Sequence, residues 1–212
     1  MLNVLLNILY SLPGIIIGFT IHEFAHAKVA DALGDPTPRM MGRVTLDPLS
    51  HMDPIGTIML LIAGFGWGKP VRINPSYFKK IRRDSVLVAV AGPLANLSVA
   101  VAANLLYVGL LRLAISTGHT GDVLSKILIP CTTWNALLFS FNLLPFPPLD
   151  GYKVIKGLAK HPSNRFFAFM DKYGYLILIL LFFTGVTSRL VGFVASLINL
   201  PINLLTGRLF RF

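Results

Sequence analysis

From Val4 to Ile21 the only side chains with polar groups are Asn7, Tyr10, Ser11 and Thr20, and the segment then runs straight into His22, Glu23 and His26. Apolar stretches of this length enter membranes, where ionisable groups are expensive and mark function. The two histidines stand at i and i+4, so a helix projects both imidazoles from one face, one turn apart. Two ligands of one tetrahedral zinc ion need that spacing, with Glu23 beside them as general base for a water the metal activates. Alone, His-Glu-x-x-His is a moderately specific pattern. Here Glu23 is the only glutamate in 212 residues, and its apolar flank makes solvated surface a poor explanation.

Composition agrees with a membrane setting. The chain is 54% hydrophobic and 13% charged, with a mean hydropathy of +0.69, whereas soluble domains are about a quarter charged. Apolar blocks recur throughout with no Ser/Gly-rich linker or low-complexity tract, so residues 1–212 are expected to form one integral domain. The single cysteine, Cys131, rules out an intrachain disulfide and reads as a small buried hydrophobe. A net charge of +10 could suggest nucleic acid, but Lys and Arg cluster in loops between apolar blocks, where they set topology. No nucleic-acid partner is expected. The N-terminal stretch has no basic residue before Lys28 and no small-x-small cleavage site before His22, and is expected to be retained.

Candidate membrane segments cover residues 4–31, 54–67, 85–115, 125–145 and 173–204. The blocks at 85–115 and 125–145 are long enough to cross, whereas Pro54 to Trp67 is short and interrupted by Gly and Pro, as in a re-entrant or interfacial piece. Arg189 interrupts the last block, which reads either as one span with an interfacial helix or as two short crossings. Six Lys or Arg lie between Lys69 and Arg83, five between Lys153 and Lys172, and none from Ser116 to Val123. The first two connections therefore face the cytoplasm and the third faces outward.

A catalytic zinc takes three protein ligands. No second glutamate exists, and the position six residues after His26 is Ala32, so the third ligand is an aspartate or another histidine. Asp31 and Asp35 lie too close along the helix to close a tetrahedron, and Asp47, His51 and Asp53 read as loop residues. Asp150 stands apart, because it follows a span directly, in N-L-L-P-F-P-P-L-D-G. There Pro145, Pro147 and Pro148 forbid a continuing helix and Gly151 permits a tight turn.

His22-Glu23-x-x-His26, followed far downstream by Asn142-x-x-Pro145 and Leu149-Asp150-Gly151, resembles the site-2 protease family of intramembrane zinc metalloproteases. Gly92-Pro93-Leu94-Ala95-Asn96 resembles the family's G-P-x-x-N segment, and Gly42–Thr45 with Trp67–Val71 resembles its compact single-domain branch. The likeness runs over roughly residues 13 to 160. It implies one zinc ion held by His22, His26 and Asp150, with Glu23 as catalytic acid/base. Tyr152 stands where many members have a second glycine, and no PDZ or CBS module is present.

The expected fold is an all-α polytopic membrane protein with a catalytic core at about 13–160. Its three transmembrane helices cover 13–31, 85–112 and 125–145. A small β element and the re-entrant piece lie between the first two, and accessory helices occupy about 173–204. The histidines and Asp150 can meet only if 54–67 does not cross, which puts the site below the cytoplasmic surface of the cell membrane. The expected reaction is endopeptidase cleavage in or near transmembrane helices of substrate proteins. Such helices hide their peptide bonds and must unwind first, so an exposed strand at Gly42, Arg43, Val44 and Thr45 is expected to pair with substrate. Asn142 and Asn96 are candidate holders of substrate backbone or oxyanion. Membrane lipid is the other expected partner, with Lys79 to Arg83 at anionic headgroups, and a homo-oligomer remains open. His119 and His161 read as surface residues, and Trp67, Trp134, Phe182 and Phe183 as packing, lipid-facing or interfacial aromatics. Two other classes fit parts of the pattern: a zinc- or proton-coupled transporter, and a catalytically silent scaffold that binds membrane helices.

Overall fold

Apolar residues at nearly every position leave the long blocks no polar face, and a backbone in such a setting satisfies its own hydrogen bonds by coiling. The computed structural model describes residues 2–63, 66–117 and 122–206. Among them the chain forms eight α-helices: α1 (Leu2–Ala32), α2 (Thr37–Met40), α3 (Pro54–Ala63), α4 (Ile81–Thr117), α5 (Asp122–Asn142), α6 (Asp150–Leu158), α7 (Arg165–Phe183) and α8 (Val186–Thr206). Three stretches are long and apolar enough to cross a membrane: Leu6–Ala32, Ile81–Leu113 and Arg165–Phe183. The protein is thus an all-helical membrane protein.

Helices α1, α4 and α5 pack on one another and carry the site between them. Gly14 lies against Cys131 and Gly18 against Leu138, so α1 and α5 run parallel. His22 faces Asn96 and His26 faces Val88, so α4 runs antiparallel to both. Away from the site the bundle is closed by Ala103 and Tyr107 of α4 against Leu128 and the buried Cys131 of α5. Beyond Asn142 the prolines end α5, and an irregular segment delivers Asp150 at the start of α6. Helices α7 and α8 form a hairpin through Gly185 at φ +72°, and α8 packs on α5.

Several expectations change. The β element at Gly42–Thr45 does not form: the described residues hold no strand, only one isolated antiparallel bridge between Met52 and Gly68. Gly42 adopts φ +67° and turns the chain, and Arg43 points inward with 4% of its surface exposed, which defeats the alternation an edge strand needs. Helix α5 packs in the core as expected but is not among the helices apolar enough to cross, because Lys126, Thr132, Thr133 and Asn135 dilute it; α7 is. The short helix α3 has ten residues, about 15 Å and half a hydrocarbon core, so it does not cross. The last block is two helices, with Arg189 inside the second. His161 is exposed, while His119 lies outside the described residues.

Candidate metal centre

The i, i+4 spacing on α1 sets His22 and His26 side by side, with ring centroids 4.6 Å apart. Both are buried, as is Asp150. Their ligand atoms converge: the two Nε2 atoms are 3.0 Å apart, and Asp150 Oδ2 lies 3.1 Å from His22 Nε2 and 3.0 Å from His26 Nε2.

The opposite nitrogens decide what those atoms are. His22 Nδ1–H donates to Asn96 Oδ1 at 2.6 Å, and His26 Nδ1–H donates to the Val88 carbonyl at 2.7 Å. Each neutral imidazole is then protonated on Nδ1 and presents a lone pair at Nε2. Asp150 adds an anionic oxygen. The Lys153 ammonium, 2.7 Å from Oδ1, favours that charge. Three electron-pair donors about 3 Å apart repel one another unless a cation sits among them. A tetrahedral ion with bonds of about 2.0–2.1 Å sets its ligands roughly 3.3 Å apart, so two imidazoles and a carboxylate at these separations fit zinc. No other group of three His, Cys, Asp or Glu side chains converges in this way among the described residues.

Helix α4 is shaped around the histidines. Val88, Gly92 and Asn96 repeat every four residues and share one face. Val88 and Asn96 take the Nδ1 hydrogens, and Gly92 between them leaves room: a Cβ there would lie 2.4 Å from His26 Nε2 and 2.7 Å from His22 Cε1. Pro93 removes the donor that would close on the Ala89 carbonyl, loosening the ladder beside Val88. Asn96 is in turn fixed by donating to the Gly18 carbonyl at 3.0 Å and to Asn135 Oδ1 at 3.1 Å, while Asn135 donates to the Gly14 carbonyl of α1 at 3.1 Å. The side chain that orients His22 thus also ties the three core helices together.

Asp150 is held from its other side. Lys153, one turn along α6, reaches Oδ1 at 2.7 Å, leaving Oδ2 for the histidines. Tyr152 Oη–H donates to Asp171 Oδ1 of α7 at 2.6 Å, and Lys156 donates to Oδ2 of the same carboxylate at 2.6 Å. Glu23 is half-buried, and its Oε2 accepts the Val71 amide hydrogen at 2.9 Å.

The structure therefore gathers His22, His26 and Asp150 and sets Glu23 beside His22 on the same helix. It separates the remaining candidates. Asn96 is fully buried with its amide occupied by helix partners, which makes it a support of His22 and leaves nothing for substrate. Asn142, at the end of α5, donates to its own Leu138 carbonyl at 2.9 Å. Gly42 to Thr45 form an irregular loop. Three participants were not singled out from sequence: Lys153, whose i, i+3 spacing from Asp150 was a usable signal; Asn135, an amide in an apolar helix; and the Val71 amide, which no side-chain pattern announces.

An apolar helical bundle closed around two histidines and an aspartate, with a glutamate between the histidines, defines a membrane metalloprotease. The comparisons narrow this further. The chain is 42% identical over 186 residues to "Putative zinc metalloprotease YwhC" of Bacillus subtilis (strain 168), covering 84% of this chain and 82% of that one. It is 31% identical over 183 residues to "Putative zinc metalloprotease Rip2" of Mycolicibacterium smegmatis, covering 84% and 68%. No protein-family model and no solved structure matches it. The chain belongs to the site-2 protease family of zinc metalloproteases, and zinc is its metal.

Proposed function

We propose that the protein is an intramembrane zinc endopeptidase that cleaves peptide bonds in or near the transmembrane helices of other membrane proteins. The convergence of Asp150 Oδ2 with His22 Nε2 and His26 Nε2 within 3.0–3.1 Å, the histidines on a helix long and apolar enough to cross a bilayer, carries the reading.

His22, His26 and Asp150 would hold the zinc, whose chemistry is to polarise the scissile carbonyl and lower the pKa of water. Glu23 takes the proton of the attacking water on its carboxylate and hands it to the departing amine nitrogen as the C–N bond breaks. The Val71 amide fixes one oxygen of Glu23 and leaves the other for that transfer. Lys153 keeps Asp150 to a single ligating oxygen. The loop Gly42, Arg43, Val44 and Thr45 is the segment we assign to substrate backbone: among the described residues the Val44 and Thr45 amides make no backbone hydrogen bond, so they can donate to carbonyls of an unwound substrate. Asn142, at the mouth of the segment leading to Asp150, is a second candidate contact.

The basic connections at 69–83 and 153–172 support a site end of the bundle that faces the cytoplasm of the cell membrane. Lipid and transmembrane substrates are then the partners, with no nucleic acid.

Purified protein reconstituted in lipid vesicles with a synthetic transmembrane peptide tests this. Mass spectrometry should find internal cleavage that a zinc chelator stops and added zinc restores. Stoichiometric zinc without any hydrolysis would sink the endopeptidase reading.

A further inference from the structure

Outside the metal centre, the connection between α1 and α4 holds three buried polar side chains, Asp35, Arg43 and His51, and the last two are unusual. Arg43 is 4% exposed and His51 is fully buried. Arg43 gives its guanidinium hydrogens to two backbone carbonyls, those of Ser50 and, at 3.2 Å, Lys69. His51 Nε2–H donates to the Thr45 carbonyl at 2.8 Å, and its Nδ1 is buried with no hydrogen-bond partner. An unmatched polar atom at a buried site is costly and calls for an explanation.

Both residues hold Lys69, Arg43 by its guanidinium and His51 by its backbone carbonyl, which the His51 imidazole steadies through its bond to Thr45. The Lys69 amide donates to the His51 carbonyl at 2.8 Å while the Lys69 carbonyl receives Arg43. Next comes Pro70, whose ring fixes its own φ and holds Lys69 extended. The residue after that stiff joint is Val71, whose amide donates to Glu23 Oε2. On the other side of Lys69, Gly68 fits between the His51 carbonyl and the Phe19 ring, where a Cβ would lie 3.2 Å and 3.3 Å from them. Phe19 precedes Glu23 by four residues, so it shares its face of α1. The chain from Gly68 to Val71 is thus clamped along the α1 face that carries the glutamate.

We propose that Arg43 and His51 are positioning residues for Glu23, acting through the Lys69-Pro70-Val71 strut. The Arg43 guanidinium ties the Gly42–Thr45 loop to that strut directly, and the His51 imidazole ties it through the Thr45 carbonyl and the His51 backbone. Glu23 has three rotatable side-chain bonds, and a single amide held from behind selects one rotamer among them. This rests on the endopeptidase reading for the role of Glu23, and on hydrogen bonds alone for the clamp.

The test uses full-length protein in lipid with His51→Leu, His51→Gln and Arg43→Lys. The amide nitrogen of Gln reaches the position of His Nε2; Leu fills similar volume without a donor. In His51→Leu, which frees Thr45 and leaves the His51 carbonyl to hold Lys69 unaided, the zinc content should remain one per chain, the Val71 amide should exchange about tenfold faster, and kcat should fall. His51→Gln should recover both. Arg43→Lys, which keeps the charge but reaches one carbonyl, should move both in the same direction and serves if the Leu variant does not fold. Unchanged Val71 exchange, a Gln variant no better than Leu, or zinc loss in step with kcat would overturn the proposal. Should the parent protein hydrolyse no peptide, the endopeptidase reading fails by itself, and Val71 exchange still decides whether Arg43 and His51 hold the strut.

Discussion

Asn96 Oδ1 sits 2.6 Å from His22 Nδ1, and this contact determines which imidazole nitrogen is left for a metal. Asn96 does so from the face of α4 that also carries Gly92 and Val88, and it is braced by α1 and α5. Replacing it with Ala removes the acceptor and strands buried partners. Zinc affinity should drop by about 10- to 100-fold, as for outer-sphere partners of ligating histidines, read by competition with a chromophoric chelator.

Gly92→Ala should reverse the usual sign of such a change. An exposed helical glycine replaced by alanine stabilises by roughly 0.5–1 kcal/mol, and Gly109 on the same helix has nothing within 4 Å of an added Cβ. At Gly92 that carbon would collide with both histidines. Gly109→Ala should keep full zinc and raise the melting temperature slightly; Gly92→Ala should lose zinc.

Glu23→Gln keeps shape and the Val71 contact while removing the proton acceptor. Zinc stoichiometry should be unchanged and cleavage should fall by at least about a hundredfold. His26→Ala, by contrast, should abolish both, which metal analysis and peptide mass spectrometry distinguish.

Lys153 is more than half exposed on its side chain, yet its partner Asp150 is buried. Solvent weakens such a pair, so Lys153→Met should lower zinc affinity by about three- to tenfold, with the difference shrinking in high salt. Equal affinities at low salt would show that the ammonium has no hold on the carboxylate.

What was legible in the sequence was local or punctuated by prolines. The i, i+4 histidines need only a helix, and Asp150 stood out because a span, three prolines and a glycine frame it. The Gly42–Thr45 loop was misread as an edge strand because Arg43 looks like an outward residue in G-R-V-T. Its true partners are carbonyls 7 and 26 residues further on. Asn96 was recognised as an intramembrane amide worth noting, but residue type does not say whether such an amide serves a ligand or a neighbouring helix. Only packing reveals that its hydrogen bonds are all taken. Likewise α5 reads as a plain crossing from sequence, whereas one of its polar residues, Asn135, binds it to α1.

Asp150 and Tyr152 are separated by one residue at the head of α6, and Tyr152 is bonded to Asp171 on α7. A hairpin that contributes no ligand is therefore geared to the third arm of the metal cradle. A tilt of α7 in the surrounding lipid would be felt at the carboxylate before it was felt at either imidazole.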